Sequence, residues 1–498
     1  MTLDAKAVAF GAYFLVILAI GVWATRFSSR GVSEYFIGGR SVPRFVVALS
    51  AVVSGRSAWV FTGLAGLAYR DGASAVWYVV GFTIAEMLLF FFFANRVRRF
   101  GEARDCVTVT DILAARLGDH AGRLRVAVAV PIVIFYTAYV AAQFDAGGKA
   151  LAQNYGVEGH TAIIVTAGII LFYTFLGGFL AVSYTDAIQA VFMISALVLL
   201  PLLLIPAEGG WSAVMQSLNP GALDPMKISI GMMIGGLGLG LGSGGNPHIV
   251  ARYLSIRHVD GLRFAGVIGT LWNVVMCWCA ILIGISGQAV FRGETTLATK
   301  QASETVLLQL TQTFLPPLMA GFVLAALFAA IMSTADSQLL VVASSIVRDL
   351  IQRVIFKGTE LSQRLLVVLS RLVVLGVTVG AVAVAWRGAE SLHALIVLAW
   401  SGVGGSLGPP LILCSFWRRL TTAGAIAGIL TGTVTVLYWG TNPSLTSITS
   451  EIVPGFGASL VATILFSLLT KPPADADESL AIMRGNEPLP STPPQPSP

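Results

Sequence analysis

Apolar runs long enough to cross a bilayer recur along almost the whole chain, and nothing else constrains its fold as strongly. A helix needs roughly 20 apolar residues to span about 30 Å of hydrocarbon, and about thirteen such runs can be placed. They begin near residues 5, 43, 74, 123, 160, 180, 227, 262, 316, 362, 390, 421 and 450. Within a membrane every backbone polar group needs a partner from the protein, which leaves helices and closed barrels; runs of this length read as helices. Composition agrees. Of 498 residues 56% are hydrophobic and 11% charged, with a mean hydropathy of +0.81, whereas soluble chains spend about a quarter of their residues on charge. The sequence predicts an all-α polytopic membrane protein with about 13 transmembrane helices over residues 1–470.

The sequence pI near 9.2 does not point to nucleic acid, because the basic residues alternate by connection instead of gathering on one soluble face. The odd-numbered connections and the tail hold clusters such as Arg96, Arg98, Arg99 and Arg104, or Arg252, Arg257 and Arg263. The even ones hold only Arg70, Lys149, Lys227, Arg292, Lys300 and Arg387. Basic loops face the cytoplasm, so the N-terminus is expected outside and the C-terminus inside, in the cell inner (cytoplasmic) membrane. The first run has no basic segment before it and is expected to stay as a helix (5–25). Residues 471–498, ending EPLPSTPPQPSP, read as a disordered cytoplasmic tail. Cys277 and Cys279 lie on different faces of one helix, which disfavours metal or disulfide chemistry.

Two segments break the helical pattern at membrane depth: SAVVSGRSAW (50–59) and GGLGLGLGSGGNPH (235–248). Backbone that leaves a helix there must find partners in protein, water or ligand, so such breaks accompany binding sites. Glycine runs also serve as close-packing surfaces, and that reading stands beside the first. The breaks lie five spans apart, which is the hydropathy pattern of an inverted-repeat transporter. Spans 2–6 (about 43–206) and 7–11 (about 227–416) would be the repeats, with C-terminal helices at 421–470.

The ninth run places Ala330, Ser333, Thr334 and Ser337 on one helix face. Hydroxyls beside free carbonyls suit a hard cation such as sodium, although such hydroxyls also bond their own i−4 carbonyls. Asp336, Asp186, Glu86 and Asp145 are ionisable groups within or near spans, each a functional candidate. Arg56 sits deep in the second span, where arginine costs about 2.5–3.5 kcal/mol. Asp336 is the expected partner for its charge, with Asp186 and Asp145 as the alternatives. Its guanidinium either stands in for a coupling cation or meets an anionic group of the substrate. Ser54, Ser57, Trp59, Tyr139, Gln143, Asp145 and Pro247 are the candidate substrate-binding residues, and Tyr139 is the preferred aromatic of the pocket wall.

Taken in order, YFIGGRSVPRF (35–45), the break ending Ser57-Ala58-Trp59, FLGGFLAVSYTDAIQA (175–190), GNPHIVARYL (245–254) and AAIMSTADSQLLVVASS (329–345) resemble the sodium:solute symporter family, its sodium/proline branch above all. The resemblance implies the LeuT-type 5+5 inverted-repeat fold and alternating access coupled to Na+. It also implies an ion site of oxygens from Val53, Arg56, Ala330, Ser333 and Thr334, with Asp186 nearby. Where proline symporters resemble Ser-Asp-Met-Ser, this chain has Ser54-Gly55-Arg56-Ser57.

The expected function is therefore sodium-coupled import of a small organic solute, such as an amino acid (proline-like) or a carboxylate. A sodium-independent carrier, in which Arg56 replaces the coupling cation, is the alternative, and a membrane solute sensor a distant one. No nucleophile-base pair, metal-ligand cluster or phosphate loop suggests an enzyme, and GLGLGLGSGG lacks the strand and acid of a dinucleotide site. The implied partners are a small-molecule substrate and membrane lipid, with no nucleic acid and no obligate protein partner.

Overall fold

The computed structural model describes residues 5–28, 31–292, 297, 299–357, 359, 361–388 and 391–486. Arg30 and the proline-rich end beyond residue 486 lie outside the described residues. Among the described residues thirteen apolar helical segments follow one another, nine of them on helices long and apolar enough to cross a membrane and four (α2, α5, α7 and α13) on shorter ones: α1 (Ala5–Ser28), α2 (44–71, in two pieces), α3 (76–103), α4 (Arg123–Tyr155), α5 and α6 (which divide Gly159–Ala207), α7 (230–255, in two pieces), α8 (Gly261–Val290), α9 (Pro317–Ile355), α10 (Gln363–Ala385), α11 (Leu392–Phe416), α12 (Thr422–Gly440) and α13 (Ile452–Leu468). Each starts within about three residues of the apolar run that predicts it, because the length of hydrocarbon to be crossed sets both.

Local chemistry explains where spans begin and turn. Pro43, with φ −65°, stands just ahead of α2 and has no N–H for the helix to leave unpaired. Gly178 separates α5 from α6 at φ 58°, ψ −159°, backbone that essentially only glycine adopts. A Cβ there would also come within 2.9 Å of the Tyr35 ring. Val42 and Ile256 form a parallel bridge, Val42 N donating to the Ser255 carbonyl (3.1 Å) and Arg257 N to that of Val42 (3.0 Å). The entry to α2 is thereby tied to the exit of α7.

α9 and α11 are the most deeply buried of the long helices, and α1 the least; α9 stands at the centre of the bundle. It lies against α4, α5–α6 and both sides of the α2 break, while α1 packs outside it and α12 pairs with α13. One expectation is corrected. The tail is not disordered from residue 471: α14 (Ala476–Arg484) is a helix docked on α3 and on a short helix, Val109–Leu117. Ala476, Leu480 and Met483 recur at i, i+4 and i+7 and are all buried, an apolar stripe that the neighbouring prolines mask in composition. Arg104 with Glu478 (2.7 Å) and Arg418 with Asp477 (3.3 Å) flank that stripe.

Candidate functional site

The first half of α2 ends at Ser54, and the chain turns through Gly55 (φ −89°, ψ 0°) and Arg56 (φ −118°, ψ 23°) before helix resumes at Ser57. The Val53 carbonyl accepts a turn hydrogen bond from Arg56 N (3.0 Å), and α9 meets the carbonyls of Val53 and Ser54 where the first half of α2 ends. Ser333 Oγ lies 3.4 Å from the Val53 carbonyl and 3.2 Å from that of Ala330, and Thr334 Oγ1 donates to the Ser54 carbonyl at 3.2 Å. Val53, Ala330, Ser333 and Thr334 are thus brought together as a cradle of hydroxyl and carbonyl oxygens, and all four are buried.

Arg56 turns away from this cradle. Its Nη2 donates to Glu86 Oε2 (2.6 Å), its Nε to Asn273 Oδ1 (2.6 Å) and its Nη1 to the Gly55 carbonyl (3.0 Å), with the guanidinium 4.5 Å over the Phe82 ring. Glu86 is on α3 and Asn273 on α8; Ser243, on the α7 break, lies 3.5 Å from the other Glu86 oxygen. Glu86 therefore bridges the two broken helices, paired with Arg56 of α2 and contacted by Ser243 of α7. The expected pairing of Arg56 with Asp336 is corrected, because the α2 turn aims the guanidinium at α3 and α8, away from α9. Asn273 had a legible signal, a lone amide inside the apolar run LWNVVMCWC.

A second buried network lies behind the cradle. Asp186 Oδ2 accepts from Ser50 Oγ (2.6 Å), Ser54 Oγ (3.2 Å) and Arg252 Nη2 (3.0 Å). Arg252 also donates to Ser337, whose hydroxyl reaches Asp336 Oδ1 (2.9 Å); Tyr173 donates to Asp336 Oδ2. Arg252 was counted with the cytoplasmic connections, and here it is corrected to the buried interior of α7, 1% exposed. Composition cannot distinguish an arginine that faces a loop from one that faces an acid across the bundle. The network holds two carboxylates and one guanidinium, and Asp186 Oδ1 is buried with no hydrogen-bond partner among the described residues.

On the other side of the α2 break a small cavity of about 20 Å3 is lined by Gly55, Trp59, Phe82, Tyr139, Leu239, Ile396, Val397 and Trp400. Tyr139 OH donates to Ser57 Oγ (3.3 Å), Gln143 Oε1 accepts from Ala58 N (3.2 Å), and Trp400 Nε1 donates to the Leu239 carbonyl (2.9 Å). Gln143 Nε2 is buried with no hydrogen-bond partner among the described residues. Ser57, Trp59, Tyr139 and Gln143 therefore gather here. Ser54 belongs to the Asp186 network. Two candidates are corrected in place: Pro247 lines a separate pocket with Phe179, Arg252 and Ser337, and Asp145 is paired with Lys149 (2.7 Å) beside a cavity near Arg387. Phe82 and Trp400, missed from sequence, complete the aromatic wall; single aromatics in apolar runs carry no mark of the face they occupy.

The glycines of α7 are close-packing surfaces. Gly240 sits against the Gly81 carbonyl, and Gly242 against Trp400 and Gly404, so close packing accompanies the break.

Two interrupted helices meeting at a buried site between helical repeats define a secondary transporter of the LeuT fold, not an enzyme. The chain belongs to the sodium:solute symporter family, whose model matches residues 35–432. Among curated relatives, the sodium/proline symporter of Staphylococcus aureus is 35% identical over 474 residues, covering 93% of this chain and 92% of that one. Among solved structures, a Na+-coupled sialic acid symporter in a substrate-bound outward-open state superposes with a TM-score of 0.79 at 19% identity, covering 94% of this chain and 98% of that one. A nucleobase-cation-symport-1 family transporter in a closed conformation gives a TM-score of 0.56 at 16% identity, with 91% and 99% covered.

Proposed function

We propose that this symporter binds sodium between the α2 break and α9, through the carbonyls of Val53, Arg56 and Ala330 and the hydroxyls of Ser333 and Thr334. The observation that carries the reading is the pairing of Arg56 with Glu86. A guanidinium neutralised there does not occupy the cradle, which supports sodium coupling over a carrier in which Arg56 replaces the ion. Behind the cradle, Asp186 Oδ1 is a buried acceptor with no hydrogen-bond partner among the described residues, and a cation would satisfy it.

The solute would occupy the cavity bounded by Trp59, Phe82, Tyr139 and Trp400. The N-terminal end of the resumed α2 helix and the free Gln143 Nε2 suit a carboxylate, and the aromatic wall suits a small apolar body. An amino acid of proline-like size, or a small carboxylate, fits that chemistry, and the proline symporter relatives support the former. The cavity, about 20 Å3, has room for little more than a water, so it must widen to admit a solute. The repeats would run α2–α6 and α7–α11 and rock about the site. Import would proceed across the cytoplasmic membrane with the N-terminus outside.

The test titrates sodium against choline at constant ionic strength while following thermal stability, then measures uptake of an amino-acid and carboxylate panel into liposomes. A ligand of the native state raises stability by mass action. The expected result is a saturable, sodium-specific rise, with affinity falling about tenfold in Ser333→Ala or Thr334→Ala as one oxygen ligand is lost. Stabilisation by a solute in choline, with no response to sodium, would reject the coupling.

A further inference from the structure

Away from the transport site, the ends of α3 and α14 and the start of α8 enclose a cavity of about 530 Å3. Arg96, Arg99, Arg263 and Arg484 line it, with Asp260 as its one carboxylate. None of these four arginines forms an ion pair among the described residues. Arg96 is partly engaged, donating to the Ser415 carbonyl (3.0 Å) and lying 4.3 Å over the Phe416 ring. Arg99 rests against Gly485 at the C-terminal turn of α14.

Like charges gathered in one cavity repel one another and raise the free energy of the fold unless an anion shares them. The surroundings indicate where that anion comes from. Phe91 and Phe92 line the same cavity, and Phe92 is 59% exposed; Val267 and Leu271, one and two turns beyond Arg263 on α8, are 55% and 58% exposed and extend the apolar face. A basic pocket opening onto an apolar, lipid-facing wall has the chemistry of an anionic lipid site. A free phosphate would satisfy the arginines but would leave that wall unused.

We propose that this cavity binds the phosphate of an anionic phospholipid headgroup drawn from the surrounding leaflet. Arg99, Arg263 and Arg484 donate to the phosphate oxygens, and the acyl chains run along Phe92 and the outer face of α8. Because Arg484 is on α14 and Arg263 on α8, the bound lipid bridges the tail helix to the bundle.

The full chain, purified in neutral detergent, is to be incubated with phosphatidylglycerol, with phosphatidylcholine, or with inorganic phosphate. Retained lipid is read by native mass spectrometry and stability by thermal denaturation. Phosphatidylglycerol is expected to be retained at one per chain and to raise the denaturation temperature, while phosphatidylcholine and inorganic phosphate do neither. Arg263→Gln and Arg484→Gln are each expected to weaken retention roughly fivefold, the value of one cation near an anionic surface. Arg263→Lys, which keeps the charge, is expected to restore most of it, and Asp260→Asn to strengthen it. Equal retention of the two lipids would overturn the proposal, as would wild-type retention in a folded Arg263→Gln/Arg484→Gln variant. A response to inorganic phosphate equal to that of phosphatidylglycerol would overturn the lipid assignment.

Discussion

At the scale of the residue, Arg56 and Glu86 stand or fall together. Their side chains are 0% and 6% exposed, so removing one partner leaves the other charge buried without compensation, which costs about 3–5 kcal/mol. Glu86→Gln is expected to lower thermal stability by that order, whereas Arg56→Met/Glu86→Met, which removes both charges, should recover much of the loss. Denaturation of the purified variants in one detergent checks this; a Glu86→Gln protein as stable as the parent would mean that the pair does not carry opposite charges. The hydroxyls and acids of the candidate site could be picked out from sequence because polar residues stand out in apolar runs. Their pairings could not, since Asp336, Asp186, Glu86 and Asp145 are equivalent as isolated acids. Only the direction of the α2 turn distinguishes Glu86 as the group that Arg56 reaches.

At the scale of the element, hydropathy locates spans but not the short helices between them, which are set by a few contacts. Val109–Leu117 is an example: Thr108 Oγ1 caps it by accepting from Asp111 N (2.9 Å), and Asp111 Oδ1 accepts from Arg125 (2.8 Å). Burial acts to raise the Asp111 carboxyl, but the guanidiniums of Arg348 and Arg125 overcome it and hold the group below its usual range. A carboxylate depressed in the fold contributes stability above its unfolded value, about 3.9, and loses it as pH falls through the folded one. Asp111→Asn is therefore expected to be less stable than the parent at pH 7, with the gap closing below about pH 4. A gap that stays constant from neutral to acid pH would contradict this assignment. The tail helix was missed for a related reason: its stripe of Ala476, Leu480 and Met483 spans only about two turns, too short to stand out beside a proline-rich end.

At the scale of the whole molecule, the alternation of basic and neutral connections predicts which end faces the cytoplasm. The end that carries Arg104, Arg418 and α14 would lie inside, and the connection after α10, with Arg387, outside. A membrane-impermeant thiol reagent added to intact cells is expected to label Arg387→Cys and not Arg418→Cys; the reverse pattern would invert the topology. The fold itself was legible because thirteen apolar runs and two paired breaks leave few arrangements for a helical membrane chain. The small size of the aromatic cavity was not, since it depends on how side chains from five helices pack against one another, which no single apolar run reveals.

The Arg56–Glu86 pair has a consequence for electricity. A lone charge carried through a membrane held at 100 mV does work of about 2.3 kcal/mol, and an unpaired guanidinium on a moving broken helix would act as a gating charge. Held 2.6 Å from Glu86, it travels as half of a neutral dipole and feels almost none of that field. With a zwitterionic solute, the current and the voltage dependence of the cycle then fall on the ions that cross with it.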